Sequence, residues 1–182
     1  MKNTILLILS ITVLFACSNN KTSDAIAEKQ TSRSYIDSLE KRMFNAQSME
    51  LDKDLASKGI AAYQEYVQAF PDDSLSPEFI FRSSDLSRAL GDNRMSIEYL
   101  DQLTKKYPTY KKMPECLFLQ GYYHQEFFKD TVQAKMYYDQ LISKYPNHAF
   151  VDDAKALMQM FGKTEQDIIK EFESKKDEKR EI

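Results

Sequence analysis

Chemistry at a protein site needs a nucleophile, a base or a metal ligand with a partner in reach. The chain has two cysteines and two histidines with which to build one. Cys116 and His124 stand eight residues apart in one helical stretch, roughly 12 Å along the axis at about 1.5 Å per residue, too far to share a proton. No helical i, i+4 pair of ligands and no CxxC spacing occurs, so a zinc site is not expected. His148 follows Pro146 in a loop and reads as a polar residue flanking a helix. The acidic pairs Asp72-Asp73 and Asp152-Asp153 lack the alternating oxygen ligands and central glycine of a calcium loop. They read as capping carboxylates for the helices that follow them. Tyr122, Tyr123, Phe127 and Phe128 have the spacing of packing residues. No catalytic residue, metal site or cofactor is expected, and the chain is read as a non-enzyme.

The other cysteine is of a different kind. Lys2 precedes an apolar run from Ile5 to Ala16 that ends in Leu14-Phe15-Ala16-Cys17. A run of about 12 residues is too short for a bilayer that needs roughly 20. This stretch resembles a bacterial lipoprotein signal, in which an apolar tripeptide precedes the cysteine that receives lipid. The resemblance implies a signal peptide over 1–16 and a mature chain that begins at Cys17. It also implies a thioether-linked diacylglycerol on Cys17 and a fatty acyl group such as palmitate on its amine. Stable anchoring takes two or more acyl chains, so a triacylated Cys17 would hold the chain to its membrane permanently. Ser18 stands where an Asp would resemble the inner-membrane retention signal, which favours the periplasmic face of the outer membrane. With Cys17 lipidated, Cys116 has no partner for an intramolecular disulfide and reads as a small buried apolar residue.

The elements that carry these residues are legible in composition and period. A net charge of −3 gives no reason to expect a nucleic-acid partner. Four glycines and five prolines against 11 tyrosines and 11 phenylalanines favour long helices packed through aromatic side chains, an all-α fold. Residues 17–34 hold almost no large apolar side chain and are expected to be a flexible tether spanning about 20–25 Å.

Beyond it, aromatic-proline pairs recur at Phe70-Pro71, Tyr107-Pro108 and Tyr145-Pro146, with 37 residues between the first two prolines and 38 between the last two. An amphipathic stretch precedes each pair, and the proline ends it. Six residues on, Pro77 and Pro114 suit a first helical turn, each followed by Glu. Each period is therefore a helical hairpin. A divergent first hairpin is expected over 35–46 and 54–70, and a short last one over 152–161 and 164–173, broken at Gly162.

These residues resemble the tetratricopeptide repeat, which pairs two antiparallel helices, A and B, in about 34 residues and closes on a proline. Leu90-Gly91-Asp92 matches the turn between helices A and B. Ser96 with Leu100, and Ala134 with Tyr138, match the small and large positions of helix B, and Gly121 the small position of helix A. The chain departs from the pattern in having no Trp, in placing Ser84 at one helix-A glycine, and in its longer turns at 71–76, 108–113 and 146–151. Such turns resemble the tetratricopeptide lipoproteins of outer-membrane assembly, the BamD-like family. The resemblance implies a short right-handed solenoid over 35–173 and a charged tail over 174–182. It also implies a helix-A groove for partner proteins, formed by Glu78, Phe81, Asp85 and Arg88 in one repeat and by Glu115, Phe118, Tyr122 and Gln125 in the next. The expected function is a lipid-anchored scaffold for other envelope proteins. The alternative is a lipoprotein that binds glycans or small ligands, for which the chain has Tyr and Phe but no Trp. Partner identity and oligomeric state stay open at this stage.

Overall fold

The computed structural model describes residues 16–43, 51–164, 166–167 and 169–170, with side-chain placement from residue 23 onward. Residues 1–15 of the signal peptide expected over 1–16, the end of the first expected hairpin helix at 44–46 and the tail expected over 174–182 lie outside the described residues. Among those described there are seven helices and no strand: α1 (Ala16–Met43), α2 (Lys53–Ala69), α3 (Ser76–Ala89), α4 (Asn93–Lys106), α5 (Met113–Phe127), α6 (Thr131–Lys144) and α7 (Phe150–Gln159). None of these helices is long and apolar enough to cross a membrane. They group into two compact units, one ending at Leu90 and the other beginning at Gly91.

Local chemistry sets the helix ends. Helices α2, α4 and α6 each start behind an aspartate, Asp52, Asp92 and Asp130, whose carboxylate accepts a hydrogen bond from the amide three residues on. That satisfies one of the amides a helix start leaves unpaired, a contribution of about 1 kcal/mol each. Helices α3 and α5 instead carry Pro in the first turn, followed by Glu78 or Glu115. The aromatic-proline turns share one geometry. Phe70, Tyr107 and Tyr145 cap their helices at φ near −130° and ψ near 60°. In each turn the backbone then makes two successive i to i+3 hydrogen bonds, Asp73 to Phe70 and Ser76 to Asp73 in the first. The extra residues of the long period thus form a regular turn, built the same way three times.

In the first unit α1 packs on α2 and α2 on α3. Ile36, Leu39, Tyr63, Tyr66, Val67, Phe79 and Ile80 are buried there. The Phe79 ring stacks on Tyr63 at 5.1 Å and meets the edge of Tyr66 at 4.9 Å. In the second unit α5 packs against α4, α6 and α7, over a core that includes Leu100, Leu103, Cys116, Leu117, Tyr123, Ala134, Tyr138 and Leu141. Burying each large apolar side chain contributes about 1.5–3 kcal/mol. Gly121 lets α5 and α6 close together: a Cβ there would lie 2.5 Å from the Tyr138 ring.

The expected flexible tether is not what this stretch forms. Helix α1 runs unbroken from Ala16 through residues 17–34 into its packed end. Composition had argued for coil because these side chains bury little, and from Ser23 to Ser34 only Lys29 and Ser32 are even half-buried. Helix, however, propagates from a packed segment at low cost once nucleated, and Ala25, Ala27, Glu28, Lys29 and Gln30 are strong helix formers. Lys29 also forms an ion pair with Asp73 in the turn before α3.

Candidate interaction surfaces

The groups first screened for chemistry do not assemble into a reactive site. Cys116 is buried and unbridged. His124 stacks on Tyr137 at 5.5 Å, with its Nδ1 buried and unpartnered. His148 flanks α7 as expected, its Nδ1 accepting a hydrogen bond from the Phe150 amide at 3.3 Å. Asp73 accepts from the Leu75 amide at 2.9 Å in the turn before α3, and α3 itself has no side-chain cap. Asp152 and Asp153 lie in the first turn of α7 without a side-chain cap. No group of three or more His, Cys, Asp or Glu side chains among the described residues is placed to hold a metal ion. Of the four clustered aromatics expected to pack, only Tyr123 is buried; Tyr122, Phe127 and Phe128 are 37%, 42% and 47% exposed.

In the first unit, Phe81 and Asp85 on α3 are half-buried and Arg88 is exposed. Asp85 and Arg88 line a cleft of about 640 Å³ with Glu40, Leu51, Tyr63, Arg82, Leu86 and Ala89. Glu78 is engaged internally, because Arg82 one turn later places Nε 3.3 Å from its Oε1. Arg82 also pairs with Glu40 of α1, which in turn accepts a 2.6 Å hydrogen bond from the Tyr63 hydroxyl. Burial first, and then the Glu40 carboxylate, push the Tyr63 hydroxyl well above its ordinary pKa, so it stays a proton donor. The cleft therefore has a wall of mutually neutralised charge. Sequence reasoning missed Arg82 and Glu40; the i, i+4 spacing of Glu78 and Arg82 was the available signal.

In the second unit the candidates on α5 form a stripe joined to the start of α7. Tyr122 stacks on Phe118 with ring centres 6.4 Å apart, and Phe118 stacks on Phe150 of α7 at 4.6 Å. His148 meets the same Phe150 ring at 5.3 Å and places Nε2 3.9 Å from Glu115 Oε1. Phe118 is thus half packed, since it also touches the Tyr138 ring at 5.9 Å. At the far end, Gln125 accepts a 3.3 Å hydrogen bond from the buried Tyr138 hydroxyl and donates one of 3.2 Å to Glu126. Burial, then Glu126, raise the Tyr138 pKa. The structure brings together all four α5 candidates and adds His148, read from sequence only as a helix-flanking residue, with Phe150 and Glu126, which were not singled out. Glu126 follows Glu115 by three helical turns, a spacing that could have marked it.

Comparison with known families matches the tetratricopeptide repeat to residues 78–110 and 115–148. These segments are tetratricopeptide repeats. Each match opens in a helix A, α3 or α5, and carries the following helix B past its closing proline, so period, helix order and buried positions agree. Ser84, Ser96, Leu100, Ala134 and Tyr138 are all fully buried, and Gly121 is buried among them. Repeats of this kind build surfaces for protein partners, and the match indicates no catalytic family. No curated protein matches the chain.

Proposed function

We propose that the chain is a non-enzymatic, lipid-anchored scaffold that holds protein partners at the bacterial envelope. Its lipid would be carried on Cys17 at the periplasmic face of the outer membrane, where the BamD-like resemblance suggests a part in outer-membrane protein assembly. The observation that carries the scaffold reading is the α5–α7 face, where Tyr122 is 37% exposed beside the half-buried rings of Phe118 and Phe150. Aromatic side chains set among polar groups supply most of the affinity in protein interfaces. The envelope reading is supported by the apolar run that ends at Cys17.

A photo-crosslinking residue placed at Tyr122 in intact cells tests the scaffold. One partner captured reproducibly at this position, and not at exposed Asp139 on α6, is the expected result; equal labelling at both would overturn it. The anchor is tested separately by Cys17→Ala, which is expected to leave the helical circular-dichroism spectrum intact while moving the chain from the membrane to the soluble fraction. A variant that stays in the membrane would refute lipidation at Cys17.

A further inference from the structure

Glu78 and Glu115 hold the same place in successive repeats, each directly after the proline of its helix. Their surroundings differ. Four residues after Glu78 stands Arg82, 3.3 Å away, whereas four residues after Glu115 stands Leu119. The repeat that neutralises its glutamate internally has a counterpart that does not. The imidazole of His148 lies 3.9 Å from Glu115 Oε1, and among the described residues Glu115 Oε2 is buried without a hydrogen-bond partner. An unsatisfied carboxylate oxygen in a partly buried place is costly, and a cation supplied from outside would relieve it.

The second carboxylate of the face is Glu126. Eleven residues advance an α-helix by about three turns, so Glu115 and Glu126 share one face of α5, roughly 16 Å apart. The cation near Glu126 is Lys129, whose Nζ is 3.9 Å away on a side chain 77% exposed, a pairing of little strength in water. Between the two acids lie Phe118 and Tyr122 with stacked rings, and ring faces also attract cations. Read along the helix, the face runs acid, aromatic, aromatic, acid.

We infer that the α5–α7 face takes an extended polypeptide segment bearing two cationic side chains about four residues apart, one at Glu115 and one at Glu126, with an apolar side chain midway between them over Phe118 and Tyr122. Side chains of an extended segment alternate between its two faces, so two that reach one surface stand an even number of residues apart; four residues span about 13 Å at about 3.3 Å each, and the long cationic side chains cover the rest of the roughly 16 Å between the acids. This rests on the scaffold reading and names the chemistry of its partner.

The test uses the full purified chain in detergent and three fluorescent peptides. One carries two arginines about four residues apart with a leucine midway between them, one has glutamates for the arginines, and one has the arginines adjacent. The spaced arginine peptide is expected to bind about tenfold tighter than either control, and more weakly as salt rises. Glu115→Gln and Glu126→Gln are each expected to weaken it about tenfold with the helical spectrum unchanged, while Asp139→Asn on α6 leaves it unaltered. Equal affinity for all three peptides, or Gln variants that bind as tightly as the parent, would overturn the inference. If the peptides fail but crosslinking at Tyr122 still captures one partner, the inference falls and the scaffold stands; if both fail, both fall.

Discussion

Glu40 in the first unit and Asp101 in the second stand on the first helix of their units, and each accepts hydrogen bonds from the next two helices. Glu40 receives the Tyr63 hydroxyl of α2 and the Arg82 guanidinium of α3. Asp101 receives the Gln120 amide of α5 at 2.5 Å and the Tyr137 hydroxyl of α6 at 3.0 Å. Glu40 does this from a helix A and Asp101 from a helix B, and their partners differ in charge. In the first unit a cation neutralises both Glu40 and the helix-A glutamate, Glu78. In the second, the carboxylate that ties the helices is held by neutral donors, and the helix-A glutamate, Glu115, has a leucine rather than an arginine four residues on. A repeat can thus use its acids to lock its own helices or leave one for a partner, and a single position, Arg82 against Leu119, decides which.

The two units also differ in what a helix glycine touches, Gly121 on helix A of one and Gly59 on helix B of the other. At Gly121 an added Cβ would meet the Tyr138 ring at 2.5 Å, whereas at Gly59 it would meet the flexible end of Met43 at 2.9 Å. Gly121→Ala is therefore expected to destabilise the protein by about 2–3 kcal/mol in urea unfolding, since a core ring cannot step aside. Gly59→Ala is expected to be within about 1 kcal/mol of neutral, with helix propensity offsetting the shift of Met43. Equal losses at both sites would break the contrast.

The charge comparison predicts the next largest effect. Glu40→Gln should cost about 1–2 kcal/mol, discounted for the exposure of Arg82, and should make the remaining stability less sensitive to salt. Asp101→Asn should cost less than about 1 kcal/mol, because the amide oxygen can still accept from Gln120 and Tyr137. Matching losses in the two variants would show that the cation adds nothing.

The turns between helices A and B give a smaller difference. Gly91 takes a left-handed backbone at φ 87°, and Lys129 takes one at φ 55° in the corresponding turn. The Asp130 amide reaches back there to the His124 carbonyl at 2.9 Å. A side chain in this region is strained, so Lys129→Gly should raise the unfolding free energy slightly, by up to about 1 kcal/mol, and Gly91→Ala should lower it by about as much. Opposite signs in the two turns are the outcome to look for.

The smallest effect is set by pH. Burial pushes the Asp73 carboxyl up, but hydrogen bonds from Lys29 and from the Leu75 amide outweigh it and hold the group below the usual carboxylate range. A lowered folded-state pKa stabilises the fold above the unfolded value of about 3.9 and is lost as pH falls through the folded value. Acid titration of stability should show this loss at up to about 1 kcal/mol, and Asp73→Asn should flatten it. An unchanged acid limb in the variant would remove Asp73 from the account.

Much of the fold was legible because it rests on local signals that repeat. The aromatic-proline pairs, the proline-glutamate helix starts and the small and large positions at Ser96, Leu100, Gly121, Ala134 and Tyr138 each act within a few residues or between neighbouring helices. The candidate surface was only partly legible. Glu115 and Tyr122 could be placed on one face by helical period, but the packing of Phe118 on Phe150 depends on a residue 32 positions away in sequence. Residues 17–34 were misjudged because composition reports what a segment can bury, not whether a packed neighbour will extend a helix into it.

From the sequence alone came the helical class, the repeat period, the turn positions and the anchor expected at Cys17, since caps, prolines and apolar spacing act over short distances. Tertiary structure alone decided that Arg82 reaches Glu40, that Asp101 gathers two helices, and that Glu115 keeps an unpartnered oxygen. Such pairings join residues tens of positions apart, and only the packing of one helix against the next brings them within a few ångströms.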